Sequence, residues 1–590
     1  MYIEKIKSLN DFKKLDKSDL IPLSNEIRDA LINKTSLVGG HVGPNLGDIE
    51  LTIALHYVFN SPIDKIIFDV SHQTYTHKIL TGRGYAFINK NDYHDVTGFY
   101  NTKESEHDLF NLGHTSTSIS LGLGMAKGRN LNNEKYNVIS IIGDGSLGGG
   151  EALEALDNIK EIGGNFILIV NDNDMSISEN HGEIYDNLKK LRETGGEYQF
   201  NLFKILGLDY AYLDNGNDIY SLIHFLNKYK DISHPIVLHI KTIKGEGYKF
   251  AELEKERFHY SLPYDIKTGE LKSKEDLSKD LSEITFDFLS HKMDLDNKVV
   301  AITAATPSVI AFNSERRKKY SKQFIDVGIC EQHAIGLLSG LAKAKAKAYF
   351  AVYASFMQRG YDQISQDFSL NNNPGTILVF ENSIFSMTSM THLGIFDIAF
   401  LSNIPNLIYL DPTNIDEYLD MLEFSYNNKK YPLAIRVPVN FIKDDNYTKI
   451  DFSKINKNLI YSKGKDIAIF AVGNLFELAK EISMDLIKKN INITLVKPIY
   501  LNEVDYETLD LLLLDHNLFI TLEDSILDGG YGQKISSYLG KKPAKVYNFG
   551  IKKKFYDSFN PKQVLEECGI SKENVINLIL KELNGNWFVL

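Results

Sequence analysis

The stretch NVISIIGDGSLGGGEALEALDN, residues 137–158, joins a buried-looking strand to a helix and carries an acid at the junction. Its apolar run ends at Gly143-Asp144-Gly145, and further glycines precede the helical pattern. A tight turn would explain the glycines. Ligands of open parallel sheets bind beyond the carboxyl ends of the strands, so the acid at position 144 indicates a binding site.

A second polar cluster follows the next apolar run along the chain. The run Phe166 to Val170 leads into NDND at 171–174. Asp144 and Asn173 are 29 positions apart, which suits one strand–helix–strand unit and places both at one sheet edge. Their oxygen donors suit Mg²⁺ or Ca²⁺ better than zinc, and a glycine-rich helix start favours a phosphate. The alternative is a pair of polar turns.

The composition is that of a globular protein with several domains. The 590 residues exceed one hydrophobic core, with 43% hydrophobic and 24% charged residues. A net charge of −12 argues against nucleic-acid binding. Cys330 and Cys568 are the two cysteines and predict a reducing compartment without disulfides. There is no run of 18 apolar residues and no secretory pattern, so we expect a cytoplasmic protein that does not contact membranes.

Three successive blocks of alternating apolar runs and helical patterns predict an α/β fold with three parallel-sheet domains. We place these domains at 1–270, 284–445 and 459–590, with a charged linker at 265–283. The apolar runs that predict strands are KIIFDV, NVISII, FILIV and PIVLHI in the first block, KVVAIT, KQFIDVGI, KAYFAVY, GTILVF and NLIYL in the second, and DIAIFAV, NITLVKP and LFITLED in the third.

The paired motif resembles that of thiamine-diphosphate enzymes, in which GDG is followed by Asn at about this distance. More narrowly, the chain resembles the 1-deoxy-D-xylulose-5-phosphate synthase family, relatives of transketolase. The resemblance implies a transketolase-like fold, thiamine diphosphate and Mg²⁺ as cofactors, and a homodimer. Further segments that carry it are HVGPNLGDIELTIALHYVFNSPIDKIIFDVSHQTYTHKILTGR (41–83), GHTSTSISLGLGMAKG (113–128), KGEGYKFAE (244–252), FIDVGICEQHAIGLLSGLA (324–342), VYASFMQRGYDQ (352–363) and, more weakly, LVKPIY and TLEDSILDGGYG.

The resemblance implies residues around the cofactor. Asp144, Asn173 and the main-chain carbonyl of Met175 would bind Mg²⁺. Glu331 would hydrogen-bond the pyrimidine ring and favour its imino tautomer, and Phe356 would stack on that ring. The remaining implied cofactor residues are His72, His114, Ser116, Gly143, Gly145, Ser146, Lys244 and Arg359. Structural alternatives stay open: a capped helix start at HTSTS, a helix-start glutamate at 331 and a core phenylalanine at 356.

The implied reaction joins a two-carbon unit from pyruvate to an aldehyde, which is glyceraldehyde 3-phosphate in the family. His41, His72, His259 and His392 are the implied catalytic histidines, although a lone histidine is more often structural. The implied substrate residues are Tyr353, Asp362, Thr388, His392 and Arg436. The alternatives are a transketolase-type ketol transfer between sugars, which releases no CO₂, and a non-catalytic protein that binds thiamine diphosphate.

The acceptor end departs from the family pattern. Where the family has an Asp-Arg pair, this chain has Glu381 and Asn382, and Val439 takes the position of a second arginine. An acid of the family is replaced by Thr388. Each lost arginine–phosphate interaction is worth about 1.5–3 kcal/mol. We therefore expect a different, unphosphorylated acceptor, with Arg359 as an alternative anchor for a carboxylate or phosphate.

Overall fold

The computed structural model of the protein describes residues 1–272, 280–439, 447 and 449–585. The chain divides into two compact units, Met1–Asp276 with Gly328–Cys330, and Leu277–Val327 with Glu331–Leu590. Residues 273–279 of the expected linker, the expected boundary at 445 and the end of the third block at 586–590 lie outside the described residues. The three domain limits therefore stay a prediction.

The first unit contains a five-stranded sheet in the order β1-β2-β3-β5-β4, and every pair in it is parallel. Its strands are β1 (Lys65–Phe68), β2 (Val138–Gly143), β3 (Phe166–Asp172), β4 (Asp209–Leu213) and β5 (Pro235–Lys241). Its helices of seven residues or more are α1 (Leu20–Val38), α2 (Ile49–Val58), α3 (Ser118–Leu131), α4 (Gly150–Ile162), α5 (Glu183–Glu193) and α6 (Ile219–Tyr229).

The second unit contains two sheets. A six-stranded parallel sheet has the order β10-β11-β9-β8-β6-β7. Its strands are β6 (Val299–Thr303), β7 (Phe324–Asp326), β8 (Lys347–Tyr353), β9 (Thr376–Phe380), β10 (Ile408–Leu410) and β11 (Leu433–Arg436). A five-stranded sheet has the order β12-β14-β13-β15-β16. Its strands are β12 (Leu459–Ser462), β13 (Asp466–Ala471), β14 (Thr494–Lys497), β15 (His516–Ile526) and β16 (Lys545–Ile551).

The helices of the second unit alternate with these strands, as crossover connections in parallel sheets require. Those of seven residues or more are α7 (Leu281–Leu295), α8 (Glu331–Lys343), α9 (Ile415–Asn427), α10 (Phe476–Ile487), α11 (Tyr506–Leu512), α12 (Tyr531–Leu539), α13 (Pro561–Glu567) and α14 (Lys572–Gly585). Across the described ranges, none of the helices is both long and apolar enough to span a bilayer.

The predicted three-sheet α/β architecture is confirmed. Each of the predicted apolar runs contains a strand, and the predicted helix after the GDG turn is α4. The sequence reading missed β4, β11, β12 and β16, and it missed that β12 runs antiparallel to β14. Three of the missed strands are sheet edges with half-buried side chains, so they lack the continuous apolar run of a central strand.

Candidate active site

The ends of β2 and β3 bring together the two polar clusters of the first unit. Gly143 is in register with Asn171, so Asp144 and Asn173 both follow strands that end at one edge of the sheet. Asp144 is buried, and its Oδ2 accepts a hydrogen bond of 3.0 Å from the backbone N–H of Met175. The predicted juxtaposition of the two strand ends is therefore present in the structure.

Asn180 adds an amide that the sequence reading did not identify. Its Nδ2 donates a hydrogen bond of 2.8 Å to Oδ2 of Asp144. The Oδ1 atoms of Asn173 and Asn180 are both buried and have no hydrogen-bond partner within the described ranges of the chain. Leaving a buried acceptor unsatisfied costs about 1–3 kcal/mol, so two such oxygens beside one carboxylate indicate a place for a cation.

Two neighbouring acids at this edge have opposite environments. Burial raises the pKa of Asp144 well above its ordinary value, and Asp172 beside it raises it further. Burial acts against ionisation of Asp172 too, but hydrogen bonds from His239 (2.8 Å) and Arg192 (2.6 Å) lower its pKa overall. Asp172 therefore anchors the loop internally, whereas a cation would stabilise the charged form of Asp144.

The donor set fits Mg²⁺. Among the described residues no group of three His, Cys, Asp or Glu side chains could hold a metal, so a metal here would rely on one carboxylate with amide and carbonyl oxygens. Hard oxygen donors of this kind, incomplete by themselves, suit Mg²⁺, which usually completes its shell with phosphate oxygens and water.

Close packing explains two of the glycines near Asp144, Gly145 and Gly149. A Cβ at Gly145 would lie 2.7 Å from the Ser176 side chain, and one at Gly149 would lie 2.2 Å from Oγ of Ser116. A Cβ at Gly143 would meet no atom within 4 Å, which leaves open space beside the end of β2. Glycine is thus required where two loops approach each other, and space for a ligand remains at the strand end.

Asp69, just after β1, organises the GHTSTS segment. Its carboxylate accepts hydrogen bonds from the backbone N–H groups of Ser116 (2.8 Å) and Ser118 (2.9 Å). Helix α3 begins at Ser118, and the preceding Thr117 makes no side-chain capping bond, so the simple capped-start alternative is wrong.

Ser116 has a left-handed backbone (φ 70°). Its Oγ donates to the carbonyl of Ser146 at 2.8 Å, and His114 lies half-buried at the start of the segment.

Three of the predicted histidines lie together. The ring centroids of His41, His72 and His259 are 4.9–5.7 Å apart. Nζ of Lys244 lies 3.2 Å from Nδ1 of His259 and donates to the carbonyl of Ser176. Burial, reinforced by neighbouring positive groups, lowers the pKa of His41 and His259 well below the ordinary value, and burial lowers the pKa of Lys244 to about 7. His41 and His259 are therefore neutral at physiological pH and can accept protons.

The backbone before His72 is strained. Val70 (φ 61°) and Ser71 (φ 69°) both have left-handed backbones, which is uncommon for non-glycine residues and most of all for a β-branched one. The Ser71 side chain is fixed by Leu112, whose carbonyl accepts its hydrogen bond, and by Tyr100, whose N–H donates to it. Strain held in this way concentrates at functional sites, because surrounding contacts must maintain it.

Glu331 in the second unit has the properties of an activating acid. It is the first residue of α8 and is 3% exposed. Oε2 has no hydrogen-bond partner among the described residues, and the Arg359 guanidinium lies 3.8 Å away. Burial raises the pKa of Glu331, and Arg359 offsets part of that effect. An acid that only complements a helix dipole does not require burial, so the dipole alternative explains the position but not the environment.

The other predicted residues of the second unit fall into two groups. Phe356 is half-buried and packs against a hydrophobic core cluster, and its ring centroid lies 5.4 Å from those of both Tyr353 and His392. Asp362 and Thr388 are exposed, and the carbonyl of Thr388 accepts a hydrogen bond from the N–H of Ser558. The first group forms an aromatic cluster at the carboxyl end of β8, and the second group does not join it.

Arg436 requires a correction. The sequence reading placed it at the substrate, but the side chain is 1% exposed. Its Nε lies 2.7 Å from Asp397 and its Nη1 lies 2.8 Å from Asp524, with Asp411 at 3.6 Å. A guanidinium surrounded by three carboxylates is held as an internal ion cluster, so we drop Arg436 from the substrate residues.

Comparison with known families shows that the resemblance of this chain to the family is not due to chance. A family model described as 1-deoxy-D-xylulose-5-phosphate synthase matches residues 3–200. The transketolase pyrimidine-binding domain matches 279–442, and the transketolase C-terminal domain matches 456–575. The 1-deoxy-D-xylulose-5-phosphate synthase of Alkaliphilus oremlandii is 38% identical over 99% of this chain and 99% of its own length. The chain belongs to the 1-deoxy-D-xylulose-5-phosphate synthase family.

Two further members of the family show similar identity. The 1-deoxy-D-xylulose-5-phosphate synthase of Caldanaerobacter subterraneus is 37% identical over 99% of this chain and 100% of its own length. That of Clostridium acetobutylicum is 37% identical over 94% and 95%. The predicted family, fold and enzyme class, a thiamine-diphosphate-dependent transferase, are therefore confirmed.

Enzymes of the 1-deoxy-D-xylulose-5-phosphate synthase family use thiamine diphosphate with a divalent metal such as Mg²⁺. The first unit fits the metal and the diphosphate, because it offers unpaired amide oxygens beside Asp144 and open space at Gly143. The second unit fits the pyrimidine ring, because Oε2 of Glu331 has no hydrogen-bond partner in the part of the chain that the structure describes.

Sequence reasoning missed three residues that shape this site. Asn180 lies at the end of the dense polar run NDNDMSISEN, and that density was the available signal. Asp69 follows the strand KIIF, so the rule that singled out Asp144 would also have found it. Arg192 comes from α5 and leaves no signal near the motif, because its contact with Asp172 spans 20 positions.

Proposed function

We propose that this member of the 1-deoxy-D-xylulose-5-phosphate synthase family decarboxylates pyruvate and joins the two-carbon unit to an aldehyde. The observation that carries the proposal is the buried Glu331 carboxyl, whose Oε2 accepts no hydrogen bond from the described residues and whose pKa is raised. An acid in that state can donate a proton or a hydrogen bond to a ring nitrogen of the cofactor, which is what cofactor activation requires.

One set of residues would bind Mg²⁺ and orient the diphosphate of the cofactor. Asp144, Asn173 and the carbonyl of Met175 would hold Mg²⁺, and Asn180 would fix the Asp144 carboxylate from the other side. Ser116 and Ser146, with the N–H groups that start α4, would line the diphosphate. Lys244, placed near Asp144 and His259, would balance the negative charge of that diphosphate.

The remaining residues handle protons and position substrate. Thiamine diphosphate, when bound, supplies the nucleophilic carbon and the electron sink. Phe356 would pack against the pyrimidine ring, and Arg359 would hold Glu331 in place. His41, His72 and His259 would accept and return protons at the reacting carbonyl groups, since His41 and His259 are neutral at physiological pH. His392, beside Phe356, would act on the acceptor.

A coupled assay tests the proposal. Purified protein with thiamine diphosphate and Mg²⁺ is incubated with pyruvate and a panel of aldehydes, and CO₂ and product are measured. We expect equal amounts of CO₂ and condensation product, both abolished in Asp144→Ala. Product from a sugar-phosphate donor without CO₂ would show ketol transfer, and cofactor binding without any turnover would show a non-catalytic protein. Either of these results would overturn the proposal.

We further propose a homodimer in a cytoplasmic location. The dimer rests on analogy with transketolase-like enzymes, and the location on the two free cysteines of the chain. Light scattering should give a mass of about twice 66.9 kDa, and a monomer mass at working concentration would contradict the dimer.

A further inference from the structure

Asn45 is a buried asparagine of the first unit whose amide is fully hydrogen-bonded. It lies in the short helix Gly43–Gly47 and is 1% exposed. Its Nδ2 donates two hydrogen bonds of 2.8 Å, one to the carbonyl of His41 and one to the carbonyl of His72. Its Oδ1 accepts a third, of 2.9 Å, from the backbone N–H of Tyr75. Both donors and the acceptor of this amide are therefore used, and every partner is a backbone group.

These bonds join two segments that are distant in the sequence. One bond is local, to a carbonyl four positions back, but those to His72 and Tyr75 span 27 and 30 positions. Within the described residues no backbone–backbone hydrogen bond joins residues 40–47 to residues 70–75. The Asn45 side chain therefore makes a connection that the backbone does not make.

Tyr75 supports the same junction. Its hydroxyl accepts a hydrogen bond of 3.4 Å from the backbone N–H of His41. A Cβ at Gly40 would lie 2.9 Å from that hydroxyl, and Gly40 has a φ of 137°, which residues with a side chain rarely adopt. The two segments therefore approach each other closely, and the approach requires glycine at position 40.

The third histidine of the cluster is held in a different way. Gly40 and Ser261 exchange two backbone hydrogen bonds of 2.9 Å. This pairing fixes the segment of His259 against that of His41. The segment that carries His72 has no such pairing with residues 40–47 in the described parts of the chain, so a side-chain amide takes the place of the backbone bonds.

The position of Asn45 also explains how the strained backbone before His72 is maintained. Val70 and Ser71 have left-handed backbones, and the Ser71 side chain is fixed by its own hydrogen bonds. Asn45 holds the carbonyl of the next residue, His72. The strained pair is thus held on both sides, as strain at a functional site requires.

We propose that Asn45 is a positioning residue that holds His72 against His41, with the two ring centroids 4.9 Å apart. This inference rests on the proposed pyruvate-dependent condensation, in which both histidines transfer protons. Asn45 acts through the two histidines and takes no part in the proton transfer itself. A displacement of about 1 Å in a reacting group costs about 10²-fold in rate, so an amide that fixes both backbones should have a large effect on turnover.

Two variants separate the long-range bonds of Asn45 from the local one. A serine hydroxyl can donate to the carbonyl four residues back, that of His41, but it is too short to reach His72. Asn45→Ser therefore keeps the local bond alone, and Asn45→Ala removes all three. We expect both variants to lower kcat with pyruvate by about 10²-fold, with little change in the Kd for thiamine diphosphate.

Asn137 provides the matched control. It is also a buried asparagine of the first unit, 2% exposed, and its Nδ2 donates to the carboxylates of Asp64 and Asp231. It precedes β2, whereas Asp144 follows that strand, so it lies at the opposite end of the sheet from the histidines. Asn137→Ala should leave kcat unchanged.

Hydrogen exchange tests the contact in the protein without cofactor. Both Asn45 variants remove the acceptor of the Tyr75 N–H, so amides of residues 70–75 should exchange faster by about tenfold or more. Mass spectrometry of a peptide that contains these residues measures the rate. Asn137→Ala should exchange there at the rate of the wild type.

A double-mutant cycle tests whether the effect on turnover passes through His72. Asn45→Ser added to His72→Gln should lower kcat no further than His72→Gln alone, because the histidine that Asn45 positions is already lost. A purely structural role would give losses that multiply. Equal kcat for the double variant and for His72→Gln, together with faster exchange at 70–75, would support the proposal.

The outcomes separate this inference from the proposed function. Multiplied losses, or an Asn45→Ser variant with the kcat and the exchange rate of the wild type, would overturn the positioning role and leave the condensation in place. Absence of pyruvate consumption by the wild type would overturn the condensation and the positioning role together.

Discussion

Asn180 donates a hydrogen bond of 2.8 Å to the Asp144 carboxylate, although 36 positions separate the two residues. The contact closes the loop that follows β3 over the end of β2. Donors that hold a metal-binding carboxylate from outside its coordination shell are worth about 10- to 100-fold in metal affinity. We therefore treat Asn180 as a positioning residue of the proposed magnesium site; its Oδ1 has no hydrogen-bond partner among the described residues and could accept one from bound water.

Loss of the Asn180 amide should weaken metal-dependent cofactor binding. Asn180→Ala removes the donor to Asp144, and we expect the apparent Kd for Mg²⁺ in the presence of thiamine diphosphate to rise by about tenfold. Titration calorimetry with Mg²⁺ measures this directly. Asn158→Ala is the matched control, because Asn158 is an exposed asparagine of α4 that bonds only the carbonyl of Glu154. Equal affinities of the two variants would contradict the role of Asn180.

Removal of the Asp144 carboxylate should have a larger effect. Asp144→Ala takes away the single acid of the proposed metal site, so thiamine diphosphate should no longer bind when Mg²⁺ is supplied. Equilibrium dialysis with and without Mg²⁺ gives the result. Asp174→Asn serves as the control, since Asp174 belongs to the same loop but is exposed and pairs with Arg192. Uptake by Asp144→Ala equal to that of Asp174→Asn would remove the basis of the site.

Glu331 should affect the activation of thiamine diphosphate more than its binding. Glu331→Gln keeps the shape of the side chain and loses the transferable proton. We expect kcat to fall by about 10²- to 10⁴-fold while the Kd for thiamine diphosphate changes little. Deuterium exchange at the reactive carbon of the bound cofactor, followed by NMR, should slow in parallel. A variant with normal exchange would show that Glu331 does not activate the cofactor.

Much of the fold was predictable because parallel sheets have a strong local signature. Central strands such as FILIV are buried on both faces and appear as uninterrupted apolar runs. The edge strand Asp209–Leu213 has an exposed or half-buried side chain at every position, so its sequence DYAYL does not stand out. The short strand Leu433–Arg436 is buried but ends in an arginine. The carboxylates that neutralise this arginine, Asp397 and Asp524, are distant in the sequence, so the sequence does not show that it is buried.

The candidate site was predictable to the extent that it follows strand ends. Asp144 and Asn173 could be paired because one crossover helix separates their strands. The contacts of Asn180 with Asp144 and of Arg192 with Asp172 could not be predicted, because they depend on how the loop after β3 folds back over the sheet. Arg436 shows the opposite error, since a charged residue that matches a functional motif lies in an internal ion cluster.

A buried histidine chain in the first unit predicts acid sensitivity. Nε2 of His56 lies 2.8 Å from Nδ1 of His77, and Nε2 of His77 lies 2.9 Å from Asp108. Asp108 is already neutralised by the two Nη atoms of Arg83, at 2.7 and 2.8 Å. Burial therefore prevails over the hydrogen bond and charge of Asp108 and lowers the pKa of His77 to about 4. His77 thus stays neutral in the folded protein at pH 5.

The sign of the effect on stability follows from that lowered pKa. Between about pH 6.5 and pH 4 the unfolded chain binds a proton at His77 that the folded protein does not bind, so the free energy of unfolding falls as the pH falls through this window. The contribution is about 2–3 kcal/mol at pH 4.5 relative to pH 7.

His77→Gln removes the titration, so the variant should lose less stability than the wild type over the same interval, whatever its stability at pH 7. Urea unfolding at pH 7.0 and pH 4.5 gives the two differences, with His224→Gln, at an exposed position of α6, as the control. An equal loss in wild type and His77→Gln would show that the titration of His77 does not control the acid response.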